Sequence, residues 1–119
     1  TIVCHKGKAL GKPETPEEAK AMLSSLSGHS HEVITSVCFT TSKIQRTLNA
    51  KTRVSFKELT SDEIDYYVDN FKPFDKAGGY AIQEWIGLIG ITNIEGSYFN
   101  VVGLPTHLVY HTLLDIGRL

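Results

Sequence analysis

The predicted sheet is built around one long strand, His31-Glu32-Val33-Ile34-Thr35-Ser36-Val37-Cys38-Phe39-Thr40-Thr41. Side chains alternate between the two faces of a strand, so Val33 and Phe39 share one face while Ile34 and Cys38 share the other. Both faces are substantially apolar, which is typical of a strand inside a sheet rather than at its edge. We therefore predict that this strand is central and that the rest of the chain packs around it.

Two other segments also have β-type character. Thr52–Leu59 alternates between apolar and polar residues, which predicts a half-buried strand paired with the long one. The polar segment Lys43–Lys51 between them is expected to form the turn of a hairpin. Thr1–His5 is apolar and β-branched, and the turn-like Lys6-Gly7-Lys8 follows it, so we predict a buried strand there as well.

Two helices have well-marked N-termini. Thr15 can cap the first, Pro16 fits its first position, and Glu18 is placed to complete a capping box. Apolar residues then follow at helical spacing. The second helix begins with another capping box, Thr60-Ser61-Asp62-Glu63, and it must end before Pro73.

Further elements are predicted in the last third of the chain. Ala81–Trp85 is expected to form a helical turn, Leu88–Ile94 and Tyr98–Val102 two strands, and Leu108–Ile116 an amphipathic helix. No internal repeat interrupts this order. Residues 1–119 are therefore predicted to form a single α/β domain with a mixed central sheet.

Length and composition exclude several classes of protein. Of 119 residues, 41% are hydrophobic and 21% are charged, which is the balance of a packed domain rather than a disordered chain. Lys plus Arg number 12 and Asp plus Glu 13, so the clustered positive charge needed for strong binding of nucleic acid is not expected. No apolar run approaches the roughly 20 residues that span a bilayer, so no membrane partner is expected either.

Cysteine content indicates a reducing compartment. Cys4 and Cys38 are too few for a disulfide scaffold, and free thiols in the cytoplasm are the simpler interpretation. Cys38 has apolar neighbours on its strand and no evident activating base. We therefore expect it to be buried and inert.

The first segment with possible chemistry combines Lys6-Gly7-Lys8 with Gly11-Lys12-Pro13. It follows a buried strand directly, and loops at strand ends of α/β sheets commonly hold phosphates, for which Lys is a suitable point charge. The alternative is a solvated loop with three surface lysines. The segment lacks the glycine spacing of a Walker A loop.

The second is the loop Asp75-Lys76-Ala77-Gly78-Gly79-Tyr80, which Gln83 follows. Its glycines permit close backbone approach to a ligand and would leave amides free to donate. Asp75 and Lys76 offer a metal-facing acceptor and a phosphate-facing donor, and Gln83 offers both a donor and an acceptor for a base edge. The alternative is a capped turn with a surface ion pair.

The histidines are weaker candidates. His29 with His31, and His107 with His111, have spacings at which a metal could be held, but neither pair has an evident third ligand. Structural or surface roles are therefore the preferred interpretation for all four.

Taken together, these segments resemble the Maf family of nucleotide pyrophosphatases, which are relatives of the inosine-triphosphatase-like fold. The resemblance runs over almost the whole chain and rests on several motifs in the same order. The motifs are Thr1-Ile2-Val3, Gly11-Lys12-Pro13, Met22 through Gly28, His31 through Val37, Thr52 through Phe56, Asp75 through Gln83, and Gly96 through Pro105.

The resemblance implies hydrolysis of a nucleoside triphosphate to the monophosphate and pyrophosphate, with Mg²⁺ or Mn²⁺ as cofactor. It implies catalytic roles for Lys12, which would contact phosphate, and for Asp75 and Lys76, which would line the triphosphate and metal region. Asp75 is the implied metal ligand. Thr1 and Gln83 would stand at positions tied to the choice of base.

Gly78 and Gly79 belong to the same implied substrate-binding loop. Asp75-Lys76 together with Ile82-Gln83 resembles the branch of the family that acts on dTTP and UTP. The resemblance also implies a two-lobed fold in the whole protein, with the nucleotide in the cleft between the lobes. It is compatible with a homodimer, which nothing in the residues shows.

Three features depart from the family's pattern. Ala81 and Glu84 replace glycines that are usual in the loop, and Glu84 is expected to point away from a polyanion site. The family's Ser-x-Ser-Pro-Arg-Arg segment and its catalytic Asp come before the position of Thr1. The chain therefore resembles the C-terminal part of a Maf protein, incomplete at the N-terminus. We expect these residues alone to be inactive and the intact protein to be an enzyme.

Two other classes of function are compatible with the residues. A non-catalytic nucleotide-binding regulator of cell division, the septum-formation context that gave the family its name, would use Lys12, Lys76 and Gln83 equally well. A purely structural or partner-binding domain would leave the polar groups of the Asp75–Gln83 loop without a ligand.

Overall fold

The computed structural model describes residues 1–117 and contains one five-stranded sheet. Along the sheet the strands lie in the order β2-β1-β3-β4-β5. The bounds of these strands are β1 Ile2–His5, β2 Lys8–Leu10, β3 Ser30–Thr40, β4 Gln45–Phe56 and β5 Ile91–Glu95.

The α/β class and the central place of β3 are confirmed, since β3 lies between β1 and β4. All four strand pairs are antiparallel. The parallel pairing that a mixed sheet requires is therefore not found among the described strands. The three-residue β2 is an additional strand, since the sequence pattern predicts a loop there.

Within residues 1–117, five helices accompany the sheet. Their bounds are α1 Pro16–Leu26, α2 Ser61–Phe71, α3 Trp85–Gly90, α4 Tyr98–Val102 and α5 Thr106–Asp115, and a single 3₁₀ turn covers Ala77–Gly79. None of the helices within residues 1–117 combines the length and the apolarity needed to cross a membrane.

β3 and β4 form one long hairpin. Their register runs from Ser30 opposite Ser55 to Thr40 opposite Gln45. The expected polar turn over Lys43–Lys51 is therefore wrong, because most of that segment pairs with β3. Its polarity instead reflects the exposure of the outer part of the hairpin to solvent.

The two predicted helix starts are confirmed, but their caps differ. The α2 cap is a full box, in which the Thr60 hydroxyl accepts from the Glu63 amide and the Glu63 carboxylate accepts from the Thr60 amide. At α1 the Thr15 hydroxyl accepts from the Glu18 amide at 3.1 Å, whereas the Glu18 carboxylate accepts from the amide of Glu14.

The segment after Gln83 differs most from its prediction. Tyr98–Val102 is the helix α4 rather than a strand, because the Ser97 hydroxyl accepts from the Asn100 amide and so caps a helical turn. Leu88 to Gly90 belongs to α3, and the strand predicted there begins only at Ile91. The expected C-terminal helix is confirmed as α5.

The core lies on one face of the sheet. Val3, Val33 and Val54 form a cluster there, and a larger cluster centres on buried residues of α1 and α2 such as Leu23 and Tyr67. On the outer half of the hairpin, Cys38 is exposed. Its expected burial is therefore wrong, because β3 extends beyond the part of the core that covers its inner half.

Candidate nucleotide-binding site

A cavity of about 420 Å³ lies on the core face of the sheet. Its volume is in the range of small-molecule sites. Segments far apart in the chain build it: residues at β1, the loop after β2, β3, the Asp75–Gln83 loop and α4. The residues that line it are Thr1, Val3, Lys12, Val33, Asp75, Lys76, Ala77, Tyr80, Ala81, Gln83, Val101 and Val102.

The structure brings together all five polar side chains that were predicted for the site, namely Thr1, Lys12, Asp75, Lys76 and Gln83. Their grouping was an expectation from three separate segments of sequence. The valines complete the lining with apolar surface. The cavity therefore offers charged groups suited to phosphates beside neutral hydrogen-bonding and apolar groups suited to a base.

The charged part of the cavity centres on Asp75 and Lys76. The Lys76 ammonium donates to both carboxylate oxygens of Asp75 at 3.4 Å. The Asp75 side chain is 77% exposed, so this pairing is loose and solvated. A polyanion or a cation can therefore reach both groups.

The donor set of the cavity bears on whether a divalent cation fits. Among the described residues that line it, Asp75 is the one carboxylate, and residues 1–117 contain no group of three or more His, Cys, Asp or Glu side chains placed to hold a metal. Mg²⁺ usually keeps several waters and binds through one or two carboxylates together with substrate phosphates. Asp75 thus fits a cation that shares its coordination with a bound triphosphate.

Gly78 and Gly79 shape the loop and do not line the cavity. Their φ angles are +74° and +78°, a region that favours glycine. Their amides are already paired, with the Gly78 N–H donating to Gly11 O and the Gly79 N–H to Lys76 O. The free amides expected at these two positions are therefore not found, and the first of these bonds ties the Asp75 loop to the loop of Lys12.

A buried histidine fastens the loop to the sheet. His31 Nε2 and the Tyr80 hydroxyl lie 2.6 Å apart, and both residues are buried. Burial lowers the pKa of His31 to about 4, and the nearby His5 adds to the effect. The His31 ring is accordingly neutral at pH 7. Burial raises the pKa of the Tyr80 hydroxyl, which stays protonated.

A second tyrosine fastens the loop to α2. The Tyr67 hydroxyl accepts from the Ala81 amide at 3.1 Å and donates to the Glu84 carboxylate at 2.8 Å. Burial, followed by the hydrogen bond to Glu84, raises the pKa of Tyr67. The expectation that Glu84 points away from the site is confirmed, since Tyr67 holds it outside the cavity lining. Ala81 has no positive φ, so its methyl group replaces a glycine without strain.

A third network reaches Thr1. The Thr1 and Thr35 hydroxyls lie 3.0 Å apart, and the Thr35 hydroxyl donates to the backbone oxygen of Asn100 at 3.3 Å. The Asn100 side-chain nitrogen lies 3.0–3.1 Å from Val33 O, Ala50 O and the Thr52 hydroxyl, and its two protons are shared among these three acceptors. Helix α4 is thereby fixed over the centre of the sheet.

Other candidates are not brought into the site. Lys6 and Lys8 lie outside the cavity lining. His29 contacts His5, with ring centroids 5.5 Å apart, while His31 faces Tyr80, so the two do not form a metal pair. His107 and His111 lie on α5, away from the cavity lining.

Sequence reasoning missed the supporting roles of Thr35 and Asn100, whereas for His31 a structural or surface role was the preferred interpretation. His31, Thr35 and Asn100 are all buried polar residues that hold parts of the cavity wall. A polar residue at an inward position of a strand was the available signal for His31 and Thr35, because buried polar groups require partners. Asn100 offers no such signal, because the sequence pattern predicts a strand over Tyr98–Val102.

The fold and the site thus define an α/β protein with a ligand-sized, partly charged cavity on the core face of an antiparallel sheet. The sequence model of the family described as "Maf-like protein" matches residues 1–116. The chain belongs to the Maf family.

Curated relatives are similar over nearly the whole chain. The dTTP/UTP pyrophosphatase of Christiangramia forsetii is 71% identical over 116 residues, which are 98% of this chain and 59% of that protein. The protein of the same name from Bacteroides fragilis is 57% identical over 116 residues, which are 98% of this chain and 60% of that protein. The one from Porphyromonas gingivalis is 49% identical over 118 residues, which are 99% of this chain and 59% of that protein. The chain thus spans about 60% of the length of the curated relatives it matches.

Proposed function

We propose that the protein is a nucleoside triphosphate pyrophosphatase that acts on dTTP and UTP. The observation that carries this proposal is that one cavity collects Lys12, Asp75 and Lys76 together with Thr1 and Gln83. The relatives named dTTP/UTP pyrophosphatase support the same substrates. We also propose that residues 1–119 belong to a single Maf-like domain, of which they form the C-terminal portion.

In the proposed reaction, water attacks the α-phosphorus and the bond from that phosphorus to the bridging oxygen breaks. The nucleoside monophosphate keeps the oxygen from water, pyrophosphate leaves with the bridging oxygen, and a proton of the water is released to solvent. Lys12 and Lys76 contact the phosphates as point charges and offset the charge that builds on them. Lys76 also lies 3.4 Å from Asp75, so the positive charge of Lys76 is close to the proposed cation ligand.

Asp75 is the proposed ligand of a divalent cation, Mg²⁺ or Mn²⁺. Such an ion, when bound with the triphosphate, offsets negative charge on the phosphate oxygens. At the other part of the cavity, Thr1 and Gln83 bind the base edge, and the side chains of Val33, Val101 and Val102 contact its flat faces. A cytoplasmic location and a homodimer complete the proposal.

The test is pyrophosphate release by the intact gene product. The panel comprises dTTP, UTP, CTP, dATP, GTP and 7-methyl-GTP, each with Mg²⁺ and with Mn²⁺. We expect selective hydrolysis of dTTP and UTP. Nucleotide binding without release on every substrate would contradict the enzyme and leave a nucleotide-binding regulator of cell division.

A matched pair of lysine variants tests the site itself. Lys76→Ala removes a charge from the cavity, and we expect kcat/KM for UTP to fall on the order of 100-fold, as for loss of one electrostatic donor. Lys8→Ala removes an exposed lysine outside the cavity and should leave kcat/KM within about twofold. Equal effects of the two substitutions would place the reaction elsewhere.

A further inference from the structure

Thr1 is one of the neutral polar residues that line the cavity. Thr35 on β3 determines whether the Thr1 hydroxyl can donate a hydrogen bond to a ligand or can only accept one. The two oxygens lie 3.0 Å apart. Thr35 is 4% exposed and does not line the cavity. Each hydroxyl carries one proton, so the direction of this bond decides whether Thr1 still has a proton for a ligand.

The second contact of Thr35 fixes that direction. Its hydroxyl lies 3.3 Å from the backbone oxygen of Asn100, which can only accept. Asn100 has no exposed surface. The amides of Gly103 and Leu104, which follow α4, both donate to Phe99 O. Among the described residues, Thr35 is thus the partner that keeps the Asn100 carbonyl from being buried unpaired, which is costly.

The Thr35 hydroxyl therefore donates its single proton to the Asn100 carbonyl. In the bond between the two threonines, the Thr1 hydroxyl must then be the donor and Thr35 the acceptor. We infer that Thr35 is a specificity-determining positioning residue, which turns the Thr1 proton away from the cavity so that Thr1 presents only lone pairs to the base of a bound nucleotide. This inference rests on the proposed function and deepens it.

The direction of this hydrogen bond matters because the pyrimidine bases differ at ring nitrogen N3. Uracil and thymine carry a proton on ring nitrogen N3, whereas N3 of cytosine is an unprotonated acceptor. An acceptor-only Thr1 pairs with the N3–H of uracil or thymine and leaves N3 of cytosine facing another lone pair. A site that requires a hydrogen bond strongly rejects an analogue that cannot make it. Gln83, with both a donor and an acceptor, can serve the neighbouring carbonyl.

The test compares UTP with CTP in the intact gene product. Thr35→Val keeps the shape of the side chain and removes its hydroxyl, so the Thr1 proton is free to turn toward the cavity. We expect the ratio of kcat/KM for UTP to kcat/KM for CTP to fall roughly tenfold, mainly through KM, the size of one hydrogen bond. Thr35→Ser keeps the hydroxyl and should preserve the ratio within about twofold.

A purely structural role would give a different result. It would lower the melting temperature and slow both nucleotides alike, so the UTP-to-CTP ratio would not change, and the inference would be overturned. The same holds if Thr35→Ser loses the preference as fully as Thr35→Val. If the unsubstituted protein releases no pyrophosphate from UTP or dTTP, the proposed function fails first, and the inference fails with it.

Thr1→Val provides a second and independent test, since Thr1 is exposed and its replacement does not disturb the core. It removes the acceptor and should also collapse the UTP preference; an unchanged ratio overturns the inference. Because Thr35 acts through Thr1, the double variant should match Thr1→Val alone. Effects that multiply would show that the two residues act separately.

Discussion

At the scale of single residues, the site depends on side chains that never touch the cavity opening. His31 on the sheet and Tyr67 on α2 each form a hydrogen bond with the Asp75–Gln83 loop, at Tyr80 and at Ala81. Both are buried, so their contribution to the site is geometric. Substitution at either position should disturb the loop without removing any group that faces a nucleotide.

His31 predicts a specific dependence of stability on pH. Its pKa falls from the usual 6.5 to about 4 in the folded protein, so between these values the unfolded chain binds the proton. The stabilisation is complete above pH 6.5 and is lost as the pH falls toward 4. From pH 7.5 to pH 5.0 the free energy of unfolding should decrease by about 2 kcal/mol on account of His31.

Urea unfolding at the two pH values, on the unsubstituted protein and on His31→Gln, measures this contribution. Glutamine can still pair with the Tyr80 hydroxyl but does not titrate. The titratable groups that face His31 are His5 and Tyr80, and both remain in the variant. A pH dependence that is the same in both proteins would contradict the prediction.

At the scale of elements, the loop that carries Asp75 and Lys76 is shaped by a close approach to β1. A Cβ atom on Gly78 would lie 3.1 Å from both methyl groups of Val3, in addition to the cost of a φ of +74°. The loop and β1 are therefore packed directly against each other at Gly78 and Val3. A change in either one moves Asp75 and Lys76 relative to Thr1.

A pair of glycine variants separates these two costs. Gly7 has a φ of +76° with nothing within 4 Å of the added Cβ, so Gly7→Ala should cost only about 1 kcal/mol for the backbone. Gly78→Ala should cost about 1–3 kcal/mol more, because Val3 must shift, and it should also raise KM for UTP. Urea unfolding with steady-state kinetics checks both. Equal losses of stability would show that the contact with Val3 is unimportant.

The same elements show how far sequence reasoning reaches. β3 and the starts of α1 and α2 could be predicted because local rules govern them: alternation over a long run, and caps with Thr followed by Glu. The grouping of the five polar side chains followed from motif order. Strand β2 could not be predicted, because its three residues are too few to show an alternation and Lys8 is typical of a loop. Helix α4 could not be predicted, because its residues are apolar enough for either state and long-range contacts decide between them. For α4 those contacts are the bonds of Asn100 to β3 and β4.

At the scale of the whole molecule, the described chain is elongated. Its principal extents are 51 × 27 × 26 Å, and its radius of gyration of 15.8 Å exceeds the roughly 13–14 Å of a compact chain of this length. The outer half of the β3–β4 hairpin is more exposed than its inner half. Cys38 lies on that outer half, whereas Cys4 lies half-buried on β1.

This shape predicts two thiols of unequal reactivity. Hydrogen bonds, first from Thr40 and then from Thr47, lower the pKa of the exposed Cys38, and both its exposure and its thiolate character favour reaction. With a disulfide reagent such as DTNB, we expect one fast and one slow phase in the folded protein. Cys38→Ser should remove the fast phase and Cys4→Ser the slow one. A single phase, or the reverse assignment, would contradict this exposure of the hairpin.

The bond from the Ala81 amide to the Tyr67 hydroxyl has a consequence for how motion in the site can be followed. That proton is held by a side chain of α2 and by no strand ladder, so its exchange with deuterated solvent does not require the sheet to open. It exchanges whenever the loop leaves α2. The exchange rate of the Ala81 amide thus reports how often the cavity wall opens. The amides of β3 exchange more slowly and report global unfolding instead.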